Sequence, residues 1–205
     1  MAKRFSFRIL VAALVLCSVL GVSPWLSHAA VFNFDTDTVG TGTTFTDSDS
    51  GVSATFSSTG DPGGFTVQPT FFFTLTGNVL YDPGPAGLND IPLSITFSQP
   101  VSSIQLNFAL NTGDASIPLV ANFSNGGSTS ATGTIPILPG DSSPEGILTA
   151  SFATPFTEVT LTTAAADMAV DNITVTTAAV PEPITLLLLG IGLAGHAGMG
   201  RRFAN

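Results

Sequence analysis

Residues 103–110 read SIQLNFAL. Ile104, Leu106, Phe108 and Leu110 alternate with polar or small residues, so an extended chain places all four on one face. Just upstream, PLSITFS (92–98) does the same with Leu93, Ile95 and Phe97. Downstream, EVTLTT (158–163) offers Val159 and Leu161, and MAVDNITVT (168–176) offers Met168 and Val170, then Ile173 and Val175. The phase change between Val170 and Ile173 predicts a bulge or bend near Asp171. Further strand candidates are VFNFDT (31–36), VSATFSS (52–58), FTV (65–67), FFFTLT (71–76), NVLY (78–81), IPLVANFS (117–124) and GILTASF (146–152). Thr, Val, Ile and Phe dominate these runs, as strands prefer. Between them lie the turn-formers DSDSG (47–51), GDPGG (60–64), DPGPAG (82–87), SNGG (124–127) and LPGDSSPEG (138–146). Many short strands at this spacing predict an all-β domain over residues 30–176, an antiparallel β-sandwich or jelly roll. No stretch of this body has a helical period, and neither an internal repeat nor a second domain is visible.

Charge is distributed as unevenly as hydrophobicity. The 205-residue chain has a formal charge of -9, and its bases are Lys3, Arg4, Arg8, Arg201 and Arg202 alone. Between Ala30 and Val180 there is no Lys, Arg, His, Cys or Trp, while thirteen Asp and Glu side chains are present. A body without a base cannot neutralise phosphates, so nucleic-acid binding is excluded. Without His, Cys or Lys there is no Ser–His, Cys–His or Ser–Lys nucleophile system. The usual zinc ligands and the phosphate-loop lysine are missing too. The one catalytic option left is a carboxylate pair acting on a glycosidic bond, as in a small glycan hydrolase or lyase.

The bases belong to the two ends. MAKRFSFR (1–8) is a cationic lead, ILVAALVLCSVLGV (9–22) an apolar run of secretory length, and SPWLSHA (23–29) a break ending in small residues. Residues 1–29 therefore read as a secretory signal peptide with a signal helix, cleaved between Ala29 and Ala30. Cys17 leaves with it, so the exported body has no disulfide framework and relies on its core, or on its core plus bound ions. At the other end, TVTTAA (174–179) runs into a linker at 177–180. VPEPITLLLLGIGLAGHAGMGRRFAN (180–205) closes the chain. Residues 184–199 are apolar or glycine apart from Thr185 and His196, a short transmembrane helix. Arg201 and Arg202 follow it, and the positive-inside rule assigns them to the cytoplasm and the body to the far side. Pro181 and Pro183 keep the chain extended ahead of the span, where a protease can bind it. The alternative is a permanent anchor.

The triplet Pro181–Glu182–Pro183, the Leu/Gly-rich run and the pair Arg201–Arg202, in that order, resemble the PEP-CTERM sorting signal of exported proteins in Gram-negative bacteria. The resemblance covers residues 180–205 and departs from the usual pattern at His196 and in a basic cluster of only two arginines. It implies a transient inner-membrane anchor, processing near the triplet by an exosortase, and delivery to the cell surface or extracellular matrix. It also implies association with exopolysaccharide and biofilm. The function expected is that of a non-catalytic surface or matrix protein whose partners are the exosortase, the secretion machinery and an exopolysaccharide.

Two features of the body invite ligands. Acids without bases suit calcium, a hard cation that takes oxygen ligands. DTDTVGTGTTFTDSDSG (35–51) gathers Asp35, Asp37, Asp47 and Asp49, although it is not an EF-hand loop. The strand order resembles calcium-containing jelly rolls, carbohydrate-binding modules among them, in which first and last strands pair and an acid from each reaches one ion. That resemblance implies a structural calcium ion held by Asp35 and Asp171, with Asp37 a further candidate; ordinary turn chemistry is the alternative. The run Phe71–Phe72–Phe73, as a strand, sends its outer pair to one side and Phe72 to the other. It is read here as covered on both sides. Presentation of aromatics to a partner is the alternative.

Overall fold

In the computed structural model the described residues are 27–58, 64–82, 91–136 and 143–178. Their strands are β1 (Ala29–Phe32), β2 (Phe45–Asp49), β3 (Val52–Ser58), β4 (Thr66–Pro69), β5 (Asn78–Tyr81), β6 (Leu93–Leu110), β7 (Pro118–Phe123), β8 (Ser128–Thr132), β9 (Glu145–Thr163) and β10 (Met168–Thr177). A 3-10 turn at Phe34–Thr36 follows β1. Every strand pair is antiparallel, in the order β4-β5-β10-β6-β9-β7-β8, with β1 on β10 and the hairpin β2–β3 on β6. Among the described residues no helix is long and apolar enough to cross a membrane. The signal segment 1–26, the end of the linker and the sorting signal 181–205 with its span 184–199 lie outside them.

The two runs of alternating residues at 92–98 and 103–110 are one strand. β6 pairs through Leu93–Thr96 with Glu158–Leu161 of β9, and through Ser103–Ala109 with Glu145–Ser151 of the same strand. Between these segments the register shifts around Val101, which lies opposite Phe156. Pro100 and Pro155 flank that point, and proline has no N–H to give to a ladder. The long strands bend there and pass from one layer to the other, as sandwich corners do. One layer is β2, β3, the start of β6, the end of β9, β7 and β8. The other is β4, β5, β10, the end of β6 and the start of β9, with β1 completing β10's free edge.

Both halves of β6 feed one core. Leu93, Ile95, Phe97, Ile104, Leu106, Phe108 and Leu110 are all buried in it, as are Val159, Leu161, Met168, Val170, Ile173 and Val175. Aromatic rings fill its ends. Phe56 meets Phe34 at 5.4 Å and stacks on Phe45 at 5.0 Å, while Phe156 meets Phe123 at 4.7 Å. Such pairs add directional contacts to the large apolar area each ring buries.

Three expectations need correcting. FFFTLT (71–76) is a bent loop, not a strand. The DSD of DSDSG, expected as turn, belongs to β2, and the reversal is left to Ser50 and Gly51, both at positive φ. The strand β8, STSAT, carries no apolar alternation and its residues are only half-buried or exposed, so periodicity could not find it. The bulge near Asp171 is present: the β10–β6 register shifts between Asp171 and Thr174, and Asn172 has φ 49°.

Candidate functional site

The site grows from the loop that the FFF run forms. Phe72 and Leu75 are buried, three residues apart and not two, so the chain turns its side chains down helically without forming a helix. They pack on Val79, Tyr81, Ala109 and Ala169 in a small cluster separate from the main core. By the cross-strand register Tyr81, Ala169, Ala109 and Glu145 form one row. The inward positions of those strands belong to the main core, so this row is on the outer face of the sheet. The loop lies over it, and the two alanines leave room for Phe72 and Leu75. Phe71 and Phe73 stay 61% and 52% exposed. The reading in which FFF is covered on both sides is thus overturned: Phe72 anchors, and its two neighbours face solvent.

A loop lying on a sheet must find partners for its amides. Here three carboxylates supply them. Glu145, buried at the start of β9, accepts the N–H of Phe73 at 2.8 Å and of Thr74 at 2.5 Å, and the Thr74 hydroxyl as well. Asp35, just past β1, accepts the N–H of Asn78 at 2.8 Å through Oδ1. Asp171, at the β10 bulge, accepts the N–H of Thr76, and that of Asn172 at 2.7 Å. The loop closes on itself through the N–H of Thr70, which donates to the Gly77 carbonyl at 2.8 Å. Gly77 has φ 70°, and a Cβ placed there would lie 1.7 Å from Asp35 Oδ1. Gly77→Ala is expected to destabilise the domain by about 2 kcal/mol, from the positive φ and the displaced carboxylate together. Urea unfolding measures it.

β1 and β5 both pair with β10, on either side of its bulge, and this brings Asp35, Asp171 and the Thr76–Asn78 turn together. The first and last strands do pair, Ala29 with Thr176 through Phe32 with Ile173. The predicted cleavage bond between Ala29 and Ala30 lies in this ladder, and the His28 carbonyl extends it by accepting the Thr177 N–H at 2.9 Å.

Asp171 is 1% exposed. Burial raises its pKa to about 6, the N–H groups of Asn172 and Thr76 oppose the rise, and the nearby Asp35 adds a smaller repulsion. A folded-state value above the unfolded one means that the folded state takes up the proton first. Stability from this group therefore grows as pH falls through about 6 and is complete only below the ordinary 3.8. From pH 7.5 to about pH 5 the gain is on the order of 1 kcal/mol. Asp171→Asn is expected to remove that part of the pH dependence. Thermal melts of both proteins across the range read it out, and parallel curves would refute it.

The three calcium candidates do not form one group. Asp35 and Asp171 flank one turn, but the groups directed at their oxygens are N–H donors. Asp37 is apart from them. Burial and then Asp47 raise its pKa, and its Oδ2 is buried without a hydrogen-bond partner. Among the described residues no three His, Cys, Asp or Glu side chains are placed to hold a metal ion. What the arrangement does chemically is clamp amides. Glu145, the most engaged of the three acids, was not singled out from sequence. It stood in a stretch read as turn, and nothing in PEG points to residues 73 and 74.

At the far side of the loop the Tyr81 hydroxyl donates to Asp167 at 3.0 Å and Asn111 Nδ2 donates to the same oxygen at 2.5 Å. Burial, then Asp167, hold the phenol's pKa well above its usual 10. Phe71 leans edge-on against the Tyr81 ring at 5.3 Å. A shallow groove elsewhere, lined by Asn125, Gly126, Gly127, Phe152, Ala153 and Thr154, has no titratable side chain.

The described residues define an antiparallel β-sandwich protein, and the chain beyond them carries a C-terminal sorting motif. Residues 179–202 match the PEP-CTERM protein-sorting motif. The chain thus carries that motif, which marks export through a transient membrane anchor and exosortase sorting. Comparison with curated proteins gives no match. Among solved structures the chain is similar to the K2 cleaved adhesin domain of Lys-gingipain, with 16% identity and a TM-score of 0.47 over 73% of this chain and 98% of that one. It is also similar to a family 29 carbohydrate-binding module complexed with mannohexaose, with 13% identity and a TM-score of 0.35 over 74% of this chain and 93% of that one.

Proposed function

We propose that this protein is a non-catalytic component of the cell surface or extracellular matrix, processed by an exosortase and associated with exopolysaccharide in biofilm. The observation that carries the reading is the motif at 179–202, with its proline–acid–proline triplet, apolar run and arginine pair in order. The use of the body's acids supports the non-catalytic part. Asp35, Glu145 and Asp171 accept amides of Asn78, Phe73 and Thr76 in the 70–78 loop, where a glycosidase would aim two carboxylates across a sugar site.

Intact-mass analysis of the protein from its native host, fraction by fraction, tests the sorting. The expected result is a surface or matrix form that ends near the 181–183 triplet. A mature form still ending at Asn205 would mean a permanent anchor. Incubation with the host's exopolysaccharide tests the rest: new reducing or unsaturated ends would favour a glycan hydrolase or lyase.

A further inference from the structure

The outer face of the sheet continues beyond the clamped loop, and what is proposed for it rests on the polysaccharide association proposed above. Cross-strand register arranges that face in three rows: Asp171–Asn107–Ile147, Thr174–Gln105–Thr149 and Thr176–Ser103–Ser151. The loop covers the adjoining row through Phe72 and Leu75. Asp171 is buried beside the loop, so its carboxylate does not face solvent. What remains open is a strip of hydroxyl and amide side chains with Ile147, 58% exposed, on one outer strand and Val31 of β1, 43% exposed, on the other. These three rows show no exposed charge, on a body that carries thirteen acids. Next to the strip stands Phe73, whose N–H is held by Glu145, two residues before Ile147 on β9, while Phe71 leans on Tyr81 at the far side of the loop.

We propose that this face, with Phe73 as its aromatic wall, binds an uncharged polysaccharide chain. Hydroxyl and amide side chains donate and accept, as sugar hydroxyls do, so Gln105, Asn107, Thr149 and Thr174 match them in both senses. The C–H face of a pyranose lies against an aromatic ring, and Phe73 offers one on a backbone that Glu145 already holds. With β1 on β10's edge the strip is four strands wide, about 14 Å between the outer strands, which is room for a chain of several sugars. Charge decides the class of polymer. A polyanion meets a body with no base to pair with it and is repelled by the acids around the strip. A polycation needs carboxylates along the strip, and the nearby ones, Asp35 and Asp49, lie at its margin and accept backbone N–H groups.

The test is affinity electrophoresis of the full-length protein in mild detergent through gels containing an uncharged glucan, mannan or galactan, with alginate as the polyanion. At least one uncharged polymer is expected to retard the protein, and alginate is not. The double variant Phe71→Ala/Phe73→Ala is expected to weaken retardation at least tenfold, and Gln105→Ala/Asn107→Ala severalfold. All four side chains are outside the main core, so melting temperatures should stay near the parent's and separate lost binding from lost fold. Retardation that survives both double variants, or that appears with alginate alone, overturns the proposal. So does a change of oligomeric state in Phe71→Ala/Phe73→Ala without binding to any uncharged polymer, which would make the wall a contact between copies of this chain. The site and the broader reading fail separately. A protein found processed in the matrix fraction whose double variants still remain with the polysaccharide refutes the site alone, and one that keeps Asn205 refutes the sorting alone.

Discussion

Removing residues 184–205 is expected to abolish delivery to the cell surface or matrix and to leave a soluble product in the periplasm. With residues 1–29 acting as the signal peptide proposed from sequence, this variant would still be exported, but nothing would hold it at the membrane for processing. The size of the effect follows from the length of the span. If helical, the sixteen residues at 184–199 would rise about 24 Å, against a hydrocarbon core of about 30 Å. Such a segment would be a weak permanent anchor, with Arg201 and Arg202 as the cytoplasmic stop that keeps it in place long enough to be cut. Fractionation with immunoblotting reads the result. In a host without an exosortase the full-length chain is expected in the inner membrane. Normal surface delivery of the truncated chain would show that the tail is not the sorting element.

Glu145→Ala is expected to cost the domain about 4 kcal/mol, a large part of the stability of a domain this size. The side chain is 3% exposed and holds two backbone amides and a hydroxyl of the loop. Bonds to a charged acceptor contribute about 1.5–3 kcal/mol each, and removing the acceptor leaves the amides of Phe73 and Thr74 to be hydrated or unpaired. Glu145→Gln keeps one carbonyl acceptor and is expected to lose about half as much. Denaturant unfolding measures both, and hydrogen exchange at Phe73 and Thr74 locates the change. A cost below about 1 kcal/mol for Glu145→Ala, with unchanged exchange at those amides, would show that the loop is held by Phe72 and Leu75 instead.

These two outcomes sit on different levels of the molecule. The sorting signal was legible in the chain because its parts are local: a proline triplet, an apolar run and a charge pair act through their own spacing. The strands were legible for the same reason. Alternation at 92–98, 103–110 and 168–176 follows from the two-residue period of an extended backbone, and its break at Asp171 announced the bulge. The all-β class likewise needed only residue types in order.

Tertiary structure decided what the loops do. Whether FFF is a strand or a loop depends on which groups satisfy its amides, and those groups are Glu145, 72 residues away in sequence from Phe73, and Asp35, 43 from Asn78. No local pattern records such partners. The same holds for the acids: Asp35 and Asp171 meet because β1 and β5 share one edge of β10, while Asp37, two residues from Asp35, is carried off to Asp47. The uncharged face is also a product of register. Asn107, Gln105 and Thr149 are unremarkable along the chain and become a continuous strip only when antiparallel pairing sets them side by side, since pairing, unlike periodicity, is fixed by contacts between residues far apart in sequence.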